Sequence, residues 1–229
     1  MLAEEPVFND RLQSGKKLAR KLISYRGKSD VIVLAVSKEG VEVAFPIAQA
    51  LKVPLDVVIS RLLHVPQEPE TAFGATTQGM VVLNDGLVAQ WGITRDVVRD
   101  LARDALEEAR HEMMAYRGDR PAPDPSKKTV IIVDDGMAIG FPLLSAIVWA
   151  KRHGASRIVV ALPVSPNFEV QQMRKLADDV VCPVTPDTWS LRIATYYRKW
   201  EEPTDREIKS LLVAAQPQGA KGARRKEIA

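Results

Sequence analysis

Asp134 and Asp135 stand side by side at the end of an apolar run, in the stretch TVIIVDDGMAIGFPLL, residues 129 to 144. Successive strand side chains point to opposite faces, but where a strand breaks into a turn, two neighbouring carboxylates can splay around one small polar object. A sugar diol is such an object, because each carboxylate can accept a charge-assisted hydrogen bond from one hydroxyl, and either can help hold Mg²⁺. The next six residues, Gly136, Met137, Ala138, Ile139, Gly140 and Phe141, make a glycine-containing turn that leads into an apolar helix. A helix start offers free N–H groups and the positive end of its dipole, which favour a phosphate. A diol at the acids and a phosphate at the turn together describe a ribose 5-phosphate.

Competing chemistry is sparse. RGKS, residues 26 to 29, ends like a Walker phosphate loop, but Leu22 stands where that motif needs its first glycine, and the segment precedes a strand. His64, His111 and His153 lie far apart and, with Cys182 as the one cysteine, give no metal-ligand spacing. The chain has no G-x-S-x-G elbow. VIIVDD on its own also fits the acidic strand end of a receiver domain or a Walker B strand. A receiver places that strand near its start, and a Walker B strand needs the missing Walker A.

These residues must be held by strands and helices in alternation. A helix is expected over residues 9 to 25, with Leu12, Ala19, Leu22 and Ile23 on its apolar stripe and Asn9 or Asp10 as its cap. VIVLAV, residues 31 to 36, is apolar on both faces, as a parallel strand covered by helices must be. A helix over VAFPIAQAL follows, with Pro46 expected in its first turn, and LDVVIS, residues 55 to 60, closes a βαβ unit. Residues 61 to 79 contain two prolines and two glycines without a sustained period, and read as a long loop. Asn84-Asp85-Gly86 suggests a hairpin turn, and residues 94 to 117 a long helix ended by Gly118. After the strand that carries the acids come a helix near 142 to 153, the strand RIVVAL, a helix near 167 to 177 and the strand DVVC. The alternation implies an α/β fold, doubly wound on a mostly parallel sheet, in one domain over residues 1 to 216. In such folds ligands bind beyond the carboxyl ends of strands, which selects SKEG (residues 37 to 40), the 61 to 79 segment and DDGMAIGF.

Composition sets outer bounds. At 229 residues, 46% hydrophobic and 27% charged, the chain is that of a globular protein. The acidic N-terminus without a long apolar run suggests neither signal peptide nor membrane span, and a cytoplasmic location is expected. Residues 217 to 229 hold four basic residues and one acid, which accounts for the whole net charge of +3. They read as a disordered basic tail, so no basic face on the body follows and nucleic acid is not an expected partner.

The acid-pair segment resembles the phosphoribosyl diphosphate fingerprint of type I phosphoribosyltransferases: a hydrophobic strand, two acids, three residues, then Thr-Gly-x-Thr. The chain is similar in particular to a group of predicted bacterial and archaeal phosphoribosyltransferases, through FNDR (8 to 11), PQEPETAFGA (66 to 75), YRGDRP (116 to 121) and the Tyr196, Tyr197, Trp200, Asp205 set. The resemblance runs from about Phe8 to Leu212. It implies a doubly wound α/β fold with a flexible loop or hairpin insertion and a C-terminal hood. It further implies that Asp134 and Asp135 bind the ribose hydroxyls and that residues 136 to 141 wrap the 5′-phosphate. Ser37, Lys38, Glu39 and Gly40 would form the pyrophosphate loop, and Arg61 would belong to a flexible loop over the reacting centre. The implied ligand is phosphoribosyl diphosphate with Mg²⁺, or a nucleotide that contains ribose 5-phosphate, and a nitrogenous base would be the acceptor. A homodimer is left open, and no membrane partner is implied. Base recognition would fall to a hood among residues 185 to 200 and the N-terminal segment.

Four places depart from that pattern. Glu39 puts a carboxylate, and Lys38 a lysine in place of an arginine fork, where the family loop reads Pro-Arg-Gly-Gly. Leu62 replaces a lysine, while Ile139 and Pro142 replace both threonines of the phosphate turn. Two readings therefore stand: an active phosphoribosyltransferase with unusual specificity, or a catalytically impaired homologue that binds nucleotides or regulates.

Overall fold

The computed structural model describes residues 6–118 and 120–216, and the expected tail, 217–229, lies outside them. In chain order the elements are α1 (Arg11–Lys21), β1 (Val31–Ala35), α2 (Lys38–Leu51), β2 (Leu55–Val57), β3 (Ser60–Val65), β4 (Glu68–Thr77), β5 (Met80–Leu83), α3 (Asp85–Gln90), α4 (Arg95–Arg117), β6 (Thr129–Val133), α5 (Phe141–Arg152), β7 (Arg157–Ala161), α6 (Asn167–Met173), β8 (Asp179–Val181) and α7 (Asp205–Ala214).

The runs that are apolar on both faces become a five-stranded sheet of order β2-β1-β6-β7-β8, parallel at every pairing. The two-residue period divides its side chains. Val31, Val33 and Ala35 of β1 join Ile131 and Val133 of β6 under α1, α2, α4 and α7. Ile32 and Leu34 join Val130 and Ile132 on the opposite face under α5 and α6. Sheet order reverses between β1 and β6, so the carboxyl ends of these two strands open onto the crevice where doubly wound sheets hold ligands. Ser37 follows β1 there, and Asp134 follows β6. Among the described residues no helix is long and apolar enough to cross a membrane.

The structure corrects several expectations. Residues 61 to 79 are not a loop: β3 and β4 pair antiparallel and, with β5, form a second, three-stranded sheet. Leu63, Val65 and Phe73 of this sheet pack against α3 and α4. The prolines that suggested a loop fall where no ladder bond is lost, Pro66 between the strands and Pro69 in the irregular stretch where His64 pairs with Ala72 and Val65 with Glu68. Asn84 does not start a hairpin; its side chain accepts from the Leu87 amide and caps α3. Asn serves turns and caps through the same short side-chain bond, which is why the sequence pattern misleads.

Pro46 lies inside α2, not in its first turn, because the helix begins earlier, capped by Ser37. Its ring packs at the α1–α2 crossing, where a Cβ on Gly15 would come within 2.5 Å of Pro46 Cγ and 2.2 Å of the Val43 carbonyl. Helix α1 is capped by Asp10, which accepts from the Gln13 amide. Its buried stripe runs through Arg11, Ser14, Gly15, Leu18 and Ala19, whereas Leu12 and Ile23 face solvent. A buried arginine thus opens the face where a leucine was expected.

Candidate functional site

At the carboxyl ends of β1 and β6 lies a cavity of about 590 Å³. Ser37, Glu39, Asp134 and Asp135 line it together with Gly136, Met137, Ala138 and Ile139. SKEG is not a loop here, since Ser37 is the N-cap of α2 and Lys38–Gly40 form its first turn. The Gly40 amide donates to Ser37 Oγ at 2.8 Å, and Ser37 Oγ donates to Asp134 Oδ1 at 2.5 Å. The helix cap therefore orients one carboxylate of the acid pair. Gly40 allows this, because a Cβ there would stand 3.0 Å from Asp134 Oδ1 and 3.1 Å from the Val133 carbonyl.

Asp134 Oδ1 also accepts from the Asp135 amide at 3.0 Å. Asp135 Oδ2 accepts from Arg11 Nε at 2.8 Å, and the Asp135 carbonyl accepts from the Tyr197 hydroxyl at 2.6 Å. Burial pushes the Asp134 carboxyl well above the ordinary carboxylate range, and neighbouring Asp135 adds to the rise. Burial pushes Asp135 up as well, and Arg11 partly opposes it.

The cations expected at the diphosphate end are already paired. Lys38 forms an ion pair with Glu202, and Arg61, carried on β3, forms one with Glu112 of α4. Both cations line a second cavity of about 550 Å³, together with Glu39, His111, Tyr116 and Asp205. Glu39, common to both cavities, stands at their junction.

The turn after the acids differs in character. Ile139, Pro142 and Leu143 face the cavity with Leu62 of β3 and Ile193. Ile139 is 44% exposed and offers the cavity only hydrocarbon. The Met137 amide donates to the Val164 carbonyl at 3.0 Å and is committed to the fold. Gly140 and Phe141 stand at the start of α5, with Gly140 in the cap position and no side-chain cap. Glu169 reaches across from α6, its Oε2 lying 2.8 Å from where a Cβ on Gly140 would sit. Burial raises the Glu169 carboxyl, and the Gly140 amide lowers it by favouring the charged form. Hydroxyls do occur near this turn, but behind it: Ser60, Thr77 and Ser145 are linked at 2.5 and 2.6 Å, and Ser145 donates to the Pro142 carbonyl at 2.9 Å.

Sequence reasoning did not name Arg11, Glu169 or Glu202 as parts of this region, while Ile193 falls inside the hood expected over residues 185 to 200. For Arg11 a signal was available in the FNDR match. The C-terminal segment reaches the site through Tyr197, which pairs with Phe8 across a parallel bridge, and through Trp200, whose ring lies 3.9 Å from the Arg11 guanidinium carbon. Trp189 is instead 84% exposed and stacks on Phe168 with ring centres 4.5 Å apart. Among the described residues no group of three or more His, Cys, Asp or Glu side chains is arranged to hold a metal ion.

Comparison with known proteins adds a family match. The phosphoribosyl transferase domain family matches residues 8–199. A Mycobacterium tuberculosis (strain ATCC 25618 / H37Rv) protein, whose name proposes a phosphoribosyl transferase, is 35% identical over 207 residues, 90% of this chain. The alignment spans 46% of that relative, so the chain covers about half the length of the curated relatives it matches. The crystal structure of TT1426 from Thermus thermophilus superposes with a TM-score of 0.75 at 30% identity, covering 90% of this chain and 98% of that one. A purine phosphoribosyltransferase structure from Pyrococcus horikoshii Ot3 gives a TM-score of 0.46 at 18% identity, over 85% and 92% of the two chains.

Proposed function

The chain belongs to the phosphoribosyl transferase domain family, and from that premise we propose that its 590 Å³ cavity binds phosphoribosyl diphosphate or a nucleotide containing ribose 5-phosphate. The observation that carries this reading is the Asp134–Asp135 pair, held at the mouth of the β1/β6 crevice by Ser37 and Arg11. Two oriented carboxylates in a partly dry cavity suit a pair of sugar hydroxyls better than they suit each other. Transfer, in this reading, displaces diphosphate from the sugar C1 by a ring nitrogen of a base. The chain's own contribution is positioning: the acids orient the ribose, α5 directs its N-terminus at the 5′-phosphate, and Leu62 and Ile193 exclude water.

Carboxylate oxygens are the donors a hard divalent cation prefers, so the acid pair fits Mg²⁺. Among the described residues no group of three acidic, histidine or cysteine side chains is arranged to hold a metal, so Asp134 and Asp135 would hold Mg²⁺ together with oxygens of the ligand. When bound, Mg²⁺ supplies charge neutralisation for the diphosphate.

A second reading, nucleotide binding without turnover, is favoured by the two ion pairs Lys38–Glu202 and Arg61–Glu112. A diphosphate must displace both carboxylates before it meets either cation. The family's lid segment is also built here into a sheet packed against α4. Incubation with Mg²⁺, phosphoribosyl diphosphate and a panel of nucleobases, with pyrophosphate release as the readout, separates the two. Release with any base supports transfer; calorimetric binding without release supports the second reading.

A further inference from the structure

Arg11 stands outside the acid pair and the phosphate turn, yet its guanidinium forms a buried ion pair with the Asp135 carboxylate. It is the first residue of α1 and only 4% exposed. Nε donates to Asp135 Oδ2 at 2.8 Å, while Nη1 donates to the Glu201 carbonyl at 2.6 Å and to Glu42 Oε2 at 3.3 Å. The Arg11 guanidinium carbon lies over the Trp200 ring, 3.9 Å from its centre, a cation–π contact. Both ends of the described chain thus converge on one cation, and that cation holds one oxygen of one carboxylate.

The same division holds at the neighbouring acid. Asp134 Oδ1 is taken by Ser37 Oγ and by the Asp135 amide. Among the described residues, the hydrogen bonds that other residues make to the two carboxylates use Asp134 Oδ1 and Asp135 Oδ2, and both residues line the cavity. Each carboxylate therefore has one oxygen engaged by a neighbouring residue, which leaves the other for a ligand in the cavity that both residues line. Two single acceptors on adjacent residues match two neighbouring hydroxyls, one for each.

We propose that Arg11 is a positioning residue that locks Asp135 so that the pair reads a vicinal diol, making the site prefer ribosyl over 2-deoxyribosyl ligands. This rests on the ribosyl reading above and names the residue that sets its sugar specificity. Lysine cannot replace it, since a single ammonium cannot reproduce the fork by which separate guanidinium nitrogens serve Asp135 and the Glu201 carbonyl.

The test compares calorimetric affinities for ribose 5-phosphate and 2-deoxyribose 5-phosphate in the unmodified protein, Arg11→Lys and Arg11→Met. The unmodified protein should prefer the ribose by about tenfold or more, the scale of one hydrogen bond to a charged group. In both variants that ratio should fall toward one, with ribose affinity dropping and 2-deoxyribose affinity nearly unchanged. Parallel loss of both affinities with the ratio preserved would mean Arg11 only supports the fold, and would overturn the proposal while leaving the ribosyl reading intact. No binding of either sugar to the unmodified protein would instead remove the ribosyl reading, and the proposal with it. Should the variants fail to fold, the unmodified protein reports independently. Its Arg11 Nε–H resonance should stay protected from exchange when ribose 5-phosphate saturates the site, and loss of protection would show that the ligand takes Asp135 Oδ2 and would overturn the proposal.

Discussion

At the acid end of the cavity, Asp134 and Asp135 are held by a helix cap, a buried arginine and a tyrosine hydroxyl; at the turn end, Ala138, Ile139, Pro142 and Leu143 present hydrocarbon, with Glu169 beside the amide of Gly140. In the proposed ribosyl reading, a ligand spanning both would meet firmly held carboxyl groups at its sugar and little beyond a helix N-terminus at its phosphate. Preorganisation is costly to maintain, because buried carboxylates need partners. In the proposed ribosyl reading, its presence at the acid end and absence at the turn end would make the sugar the better-recognised part of the ligand.

The largest effect expected from breaking this contrast is on stability. Asp135→Ala leaves Arg11 buried without its nearest carboxylate and should cost about 3–5 kcal/mol in denaturant unfolding. Ile139→Ala, at the other end, should cost less than about 0.5 kcal/mol, since the side chain is already partly in solvent. Equal costs would erase the distinction.

Restoring hydroxyls should sharpen the comparison. Ile139→Thr combined with Pro142→Thr adds two donors to the turn, each worth about 1.5–3 kcal/mol to an anion. Calorimetry should show tighter binding of ribose 5-phosphate by about tenfold or more, with ribose alone unaffected. Unchanged affinity would mean that the phosphate does not sit on this turn.

The acid pair should also mark the pH dependence of the ligand-free protein. Burial raises both carboxyls in the folded chain, so the native state keeps their protons to higher pH than the unfolded chain does. Stability from the pair is full below the ordinary carboxylate value of about 4 and declines as pH rises toward neutrality, by at most about 1.4 kcal/mol per pH unit for each proton involved. Unfolding midpoints followed against pH should fall over that range, and Asp134→Asn should flatten the fall. Glu169→Gln carries the smallest expected effect. Removal of one half-buried negative charge beside Gly140 should tighten inorganic phosphate or ribose 5-phosphate binding a few-fold, about 0.5–1 kcal/mol.

Much of this contrast was legible in the sequence. Strands covered on both faces announce themselves as unbroken apolar runs, which is why residues 31 to 36 and 129 to 133 were readable, and two acids at the end of such a run point to a site. The three-stranded sheet was hidden because its strands bury one face and carry Pro66, Pro69 and Gly79 near their ends, the composition of a loop. Arg11 was obscured for a different reason: an arginine at a helix start reads as solvated, and only the fold brings Glu201, Trp200 and Asp135 around it. Partners separated by 124 residues along the chain leave no local period to detect. Ile139 and Pro142 were visible as departures, while Glu169, which bears on the same turn from α6, carried no sequence signal.

The central claim is that the acid pair is the recognition element of a phosphoribosyl site, and one titration addresses it most directly. The unmodified protein and the Asp134→Asn, Asp135→Asn double variant are titrated calorimetrically with phosphoribosyl diphosphate in the presence of Mg²⁺. Saturable heat at or below about millimolar ligand for the unmodified protein, absent from the double variant, is the expected result. No heat from the unmodified protein in that range, or equal affinity in the two, would contradict the account.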